Sequence, residues 1–116
     1  LNVCVFNERW VAVWGDYGSN EELDSINIYG LTADNKVEKI YSFEEGQIRH
    51  VHNIIPKIDG GYYILTGDQE DGAGIYESDA RFEKVKPVKV GKQQYRAVIG
   101  FDTPEGLLYA TDAVNE

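Results

Sequence analysis

Short groups of residues recur along this chain at a spacing of 47 residues, which limits the folds that the chain can adopt. Two pairs repeat at this spacing: Arg49 and Val51 return as Arg96 and Val98, and Ile28-Tyr29 returns as Ile75-Tyr76. A period of roughly 20 to 50 residues is typical of repeat architectures, in which each unit is one small supersecondary structure. The chain is therefore predicted to use one structural unit more than once.

A third marker is an aspartate that follows an apolar run in each unit. These aspartates are Asp16 in "VAVWGDY", Asp68 in "YILTGDQ" and Asp112 in "LLYATDA". Because a carboxylate at the end of a strand accepts hydrogen bonds from turn amides, we interpret them as residues that fix turns. The order of all the markers is kept along the chain, which supports a repeat.

Each unit is predicted to contain four short strands. In the central copy these are residues 47–56, 62–68, 74–78 and 82–88, which are rich in β-branched and aromatic residues. Gly and Asp separate them, as is typical of hairpins, and no stretch shows the 3.6-residue period of a helix. The sequence therefore predicts an all-β, antiparallel fold.

Four antiparallel strands in about 45 residues are the dimensions of a β-propeller blade. The chain is predicted to be a single propeller fragment of about two and a half blades, with boundaries near 1–43, 47–88 and 93–116. Rings normally need about four to eight blades. We therefore expect the remaining blades to come from a longer parent protein or from self-association. A small β-sandwich or barrel of about ten strands is the alternative.

The charge of the chain argues against two classes of partner. The formal net charge is −9, and the 11 Lys and Arg residues are scattered singly. Binding to nucleic acid or to an anionic membrane surface depends on clustered basic residues. No apolar run approaches the roughly 20 residues that span a bilayer. We expect neither nucleic acid nor membrane as a partner, and no feature of the sequence assigns a cellular location.

The chain's two histidines form the first candidate site. His50 and His52 are two residues apart, so in a strand they point to the same face. Two imidazoles on one face provide a general base beside a substrate, or part of a metal site. We predict His50 and His52 as catalytic residues and assign no cofactor; the alternative is that both are ordinary hydrogen-bonded histidines without a functional role. A divalent metal is the weaker alternative, with Asp68, Gln93 or Gln94 as the third ligand.

Polar residues near the histidines form a predicted substrate-binding group: Arg49, Gln94, Tyr95 and Arg96. A guanidinium group donates two parallel hydrogen bonds to a carboxylate, so the two arginines suit an acidic ligand. Tyr95 adds an aromatic surface between two polar neighbours. The recurrence of the arginine also fits a role in the scaffold, and that alternative remains open.

Five segments in order, "IRHVHNI", "YYILTGD", "GIYESD", "GKQQYRAV" and "LLYATDA", resemble bacterial sialidase-like propellers with BNR or Asp-box repeats. The resemblance covers roughly residues 46–113. An Asp-box has the form S-x-D-x-G-x-T-W; this chain keeps Ser78, Asp79 and an aromatic residue at Phe82, and lacks the glycine.

The resemblance implies a bacterial protein that handles carbohydrate. If it is an enzyme, the implied reaction is hydrolysis by a sialidase-like glycosidase, or elimination by a polysaccharide lyase, on an acidic glycan. In either reaction histidine would be the base and arginine would bind the carboxylate, and the fragment alone would be inactive. A non-catalytic propeller that serves as an interaction platform is the alternative, because a fold does not by itself imply an activity.

Overall fold

The computed structural model describes residues 10–16, 25–48, 50–67, 73–90 and 97–111. The regular elements in these ranges are strands: β1 (Trp10–Gly15), β2 (Ile26–Thr32), β3 (Val37–Phe43), β4 (His50–Pro56), β5 (Tyr62–Gly67), β6 (Gly74–Ser78), β7 (Val85–Val90), β8 (Ala97–Thr103) and β9 (Gly106–Thr111). This part of the chain has no helix with the length and apolar character needed to cross a membrane.

The strands form three antiparallel sheets, each built from strands that follow one another in the chain. Their orders are β1-β2-β3, β4-β5-β6-β7 and β8-β9. The prediction of an all-β, antiparallel fold is therefore confirmed. Within the described ranges none of the three sheets closes into a barrel. The β-sandwich alternative fits the arrangement, and the assignment of the sheets as propeller blades stays a prediction.

The second sheet lies between the other two and is apolar on both faces. On one face Ile54 and Ile64 join a buried cluster with Val13 and Ile28 of the first sheet. On the other face Ile55, Leu65 and Ile75 pack with Leu107 of the third sheet. Neighbouring residues of a strand point to opposite faces, so consecutive apolar residues fill both interfaces. Each fully buried Ile or Leu contributes about 1.5–3 kcal/mol.

The turn between β6 and β7 differs from the prediction, which placed a strand at 82–88. Phe82 lies in the turn with a φ of 57°, and its ring stacks on Tyr62 with centroids 4.9 Å apart. The Asp79 carboxylate accepts hydrogen bonds from the amides of Glu83 (2.8 Å) and Lys84 (3.1 Å). Because their amides are hydrogen-bonded to Asp79, Glu83 and Lys84 belong to the turn, and β7 begins only at Val85.

The same turn geometry recurs 47 residues earlier, between β2 and β3. Asn35 has a φ of 67°, and its amide donates to the Thr32 carbonyl at 3.0 Å, as the Phe82 amide donates to the Asp79 carbonyl at 3.3 Å. The Thr32 hydroxyl accepts from the Lys36 amide at 3.0 Å, in the role that the Asp79 carboxylate has in the later turn. The sequence spacing thus corresponds to a repeated backbone structure at this turn.

Strand β7 forms one edge of the second sheet and is exposed along most of its length. Lys86 and Lys89 are exposed there, and Pro87 has no backbone N–H to offer. Lysine and proline on an edge strand are common means of preventing a further strand from pairing with it.

Candidate functional site

The predicted site residues are only partly within the described ranges. His50 and His52 lie at the start of β4. Four predicted substrate-binding residues lie outside the described residues: Arg49, Gln94, Tyr95 and Arg96. Gln93 and two of the repeated aspartates, Asp68 and Asp112, also lie outside. The structure therefore describes the histidine pair itself, while the proposed convergence of arginines on that pair stays a prediction.

Both histidine rings are enclosed by protein. His50 is 1% exposed and His52 is 3% exposed, and their ring centroids are 4.8 Å apart with 42° between the planes. A β-bulge in β4 falls at His52, because Val51 pairs with Thr66 and Asn53 pairs with Leu65. The bulge places the His52 ring over Gly67: a Cβ at that glycine would lie 2.1 Å from the His52 Cε1 atom. In this conformation a ligand in solvent does not reach either ring.

Asp16 connects the histidine strand to the first sheet. The amide of Val51 donates to the Asp16 carbonyl at 3.0 Å, and the amide of Asn27 donates to the Asp16 carboxylate at 2.9 Å. A Cβ at the preceding residue, Gly15, would lie 2.5 Å from Val51 Cγ2, so glycine permits the close approach of β1 and β4. Asp16 therefore fixes backbone geometry at the junction between two sheets.

Clusters of metal-binding side chains are absent from the part of the chain that the structure describes. In residues 10–16, 25–48, 50–67, 73–90 and 97–111, no three His, Cys, Asp or Glu side chains lie close enough together to hold an ion.

A cleft that the sequence interpretation missed lies between the first and second sheets. Tyr41 of β3 lines one side, and the other side is lined by Ser78 and Val85 of the second sheet and by Gly61, just before β5; its volume is about 780 Å³. We call it the inter-sheet cleft. Small-molecule sites typically have volumes of about 300–1,000 Å³. A Cβ at Gly61 would lie 2.2 Å from the Ser78 carbonyl oxygen, so this position of the wall accepts only glycine without rearrangement.

Charged residues of both signs line the inter-sheet cleft: Lys57, Lys84, Lys86, Asp59, Glu77 and Glu83. Lys57 is the best buried of those that form ion pairs, with its side chain 16% exposed and its Nζ 2.9 Å from Glu77 and 3.4 Å from Asp59. Lys86 contacts the second Glu77 oxygen at 3.2 Å. The hydrogen bond from Lys57 is the main cause that lowers the pKa of Glu77, and the Gly61 amide is the main cause that lowers the pKa of Asp59. These carboxylates are therefore ionised and held in place at neutral pH.

The cleft was missed because its residues come from separate strands. Tyr41 belongs to the first sheet, whereas Glu77 is in the second sheet and Lys57 follows its first strand. Sequence alternation shows which residues share a strand face, but it does not show which strand of the neighbouring sheet faces them. The one local signal was Asp59-Gly60-Gly61, which predicts a hairpin turn and nothing about a ligand.

Comparison with known proteins adds no relative: no family profile, curated protein or solved structure matches this chain.

Proposed function

We infer that this chain consists of β-propeller blades that bind a glycan and do not transform it. The stacked antiparallel sheets support the propeller assignment, because β4, the first strand of the second sheet, contacts both β1 and β8. Neighbouring blades of a propeller also stack face to face around a central channel. The glycan as ligand class rests on the resemblance to sialidase-like propellers.

The observation that carries the non-catalytic assignment is the burial of both histidines. A general base must come within about 2.6–3.2 Å of the proton that it removes. His50 and His52 are only 1% and 3% exposed, so a glycan does not approach either ring without local opening. Hydrolysis or elimination with His50 or His52 as the base is therefore the less well supported function.

The experiment compares turnover and binding in the same protein. Sialyllactose and polygalacturonate are incubated with the chain, released sugar and unsaturated uronate are measured, and retention on a glycan array is recorded in parallel. We expect glycan retention without product, and the same retention for His50→Ala and His52→Ala variants that remain folded. Product formation that disappears in either variant would establish the catalytic alternative. Failure to retain any glycan would refute the binding function.

The propeller assignment also requires further blades, and the native mass in solution shows whether other copies of this chain supply them. One chain has a mass of 13.1 kDa. Light scattering on a sizing column that gives a multiple of this mass indicates that copies of the chain associate with one another. A mass of one chain indicates that copies of the chain do not complete a ring, and it is expected both for blades of a longer parent and for the β-sandwich alternative.

A further inference from the structure

The inter-sheet cleft has the composition of a binding site for a neutral, hydroxyl-rich ligand. Its lining contains three lysines and four carboxylates, which are the six charged residues named above together with Asp79. The carboxylates would repel a strongly anionic ligand, and the lysines would repel a strongly cationic ligand. A sugar hydroxyl both donates and accepts hydrogen bonds, so a neutral saccharide can satisfy groups of both signs.

Several charged groups of the cleft form ion pairs or hydrogen bonds before any ligand binds. Glu77 lies between Lys57 and Lys86 and is 23% exposed. Asp59 accepts the Gly61 amide at 3.0 Å, and Asp79 accepts two turn amides. A ligand therefore meets acceptors and donors in a fixed arrangement, which reduces the entropy lost on binding.

Tyr41 supplies an aromatic wall. Its ring is half-buried and packs edge to face on Phe43, with centroids 5.1 Å apart and 86° between the planes. This contact fixes the ring against the core of the first two sheets. Aromatic rings combine a large apolar surface with a polar edge, and a held ring gives the apolar face of a sugar a surface on which to lie.

Ser78 provides an independent observation. The residue lines the cleft, is 6% exposed, and its Oγ has no hydrogen-bond partner among the described residues. A buried hydroxyl without a partner is destabilising, so native structures usually satisfy it. Rotation about χ1 moves such a hydroxyl between staggered positions.

We propose that the inter-sheet cleft binds a neutral saccharide, with Tyr41 as the stacking surface, Glu77 and Lys57 as hydrogen-bonding groups, and the Ser78 hydroxyl turning toward the bound sugar. The proposal rests on the glycan-binding function proposed above, and it moves the site away from the histidines. It also changes the ligand class, because the arginine-based prediction favoured an acidic glycan.

The test begins with a glycan array that carries neutral oligosaccharides together with their sialylated counterparts, including lactose and sialyllactose. We expect retention by neutral glycans, with affinity for the sialylated partner weaker by about tenfold or more, since an unfavourable charge contact easily exceeds 1.4 kcal/mol. Stronger retention by the sialylated member of the pairs would overturn the ligand class.

Variants of the cleft then test the location, by calorimetric titration of the best neutral sugar. Tyr41→Ala and Glu77→Gln are each expected to weaken binding about tenfold, because a lost stacking surface or charged hydrogen bond has that effect. Tyr29→Ala and Glu105→Gln, outside the cleft, are the matched controls and should bind like the original chain. Should Tyr41→Ala fail to fold, Glu77→Gln and Ser78→Ala decide the question.

Ser78→Ala separates a ligand contact from a purely structural role. Removing a hydroxyl that lacks a partner should leave thermal stability unchanged or higher, while binding weakens. Glycan binding that survives all the cleft variants would refute this site and leave the proposed function standing. If no glycan binds the chain at all, both proposals fail together.

Discussion

The imidazole of His52 lies against Gly67, in the space that a side chain would occupy at that position. A Cβ built on Gly67 would be 2.1 Å from Cε1 and 2.6 Å from Nε2 of His52. Both residues are buried, so neither has open space into which to move. We therefore expect Gly67→Ala to lower the free energy of unfolding by about 1–3 kcal/mol, as overpacking typically does, measured by urea denaturation.

A double-mutant cycle identifies the cause of that loss. If the added methyl group acts through His52, then Gly67→Ala should cost much less in a His52→Ala background than in the original chain. Equal costs in the two backgrounds would show that the glycine is needed for another reason, such as its backbone conformation.

Asp16 is predicted to stabilise the end of β1, beside the junction with the second sheet, through a side-chain hydrogen bond within the first sheet. Asp16→Ala removes the acceptor of the Asn27 amide, and we expect a loss of about 1–3 kcal/mol in the free energy of unfolding. Asp16→Asn keeps one side-chain oxygen and should cost less. A result in which the Asn and Ala variants are equally destabilised would argue against the hydrogen bond as the cause.

Phe82 is predicted to be a core residue although it lies in a turn. Its ring stacks on Tyr62 and meets Trp10 edge to face with centroids 6.1 Å apart, and the residue is 3% exposed. Phe82→Ala should destabilise the chain by about 3–5 kcal/mol, the usual cost of removing a buried phenylalanine ring. Arg81→Ala, an exposed neighbour in the same turn, is the control and should change stability by less than about 0.5 kcal/mol.

The Lys57–Glu77 pair predicts a pH dependence in the acid range. The hydrogen bond from Lys57 lowers the pKa of Glu77 below its usual 4.5 in the folded chain. A carboxylate with a lowered folded-state pKa stabilises the fold above its unfolded pKa, and this contribution disappears as pH falls through the folded value. Between pH 7 and pH 3, stability should therefore fall more steeply in the original chain than in Glu77→Gln. Parallel curves from denaturation at each pH would contradict the prediction.

The sequence predicted the strands better than it predicted their ends. β-Branched and aromatic runs between Gly and Asp were sufficient to identify an all-β, antiparallel chain, since these signals are local. The predicted start of β7 was wrong by three residues. Phe82 is aromatic, as strand residues often are, but its backbone has the left-handed conformation of a turn residue. The hydrogen bonds from the Glu83 and Lys84 amides to Asp79 decide that boundary, and the strand propensities of the residues contain no information about these bonds.

The histidines illustrate a second limit of sequence patterns. Their spacing placed both rings on one face of β4, and the rings do lie together. The same spacing carries no information on what covers that face. The His52 ring lies against Gly67 and both histidines are buried, whereas the inter-sheet cleft is formed by residues that no motif connects. Solvent access depends on the stacking of whole sheets, which is a long-range property.

The exposed lysines and the proline of β7 also affect how molecules of this chain meet one another at high concentration. Repulsion between ammonium groups and the missing amide of Pro87 make it costly for the β7 edges of two molecules to join into one continuous ladder. Fibril growth along the hydrogen-bonding direction is thereby suppressed at this edge. Association through sheet faces carries no such penalty, so contacts between copies are expected through faces and not through a continuous cross-β ladder at this edge.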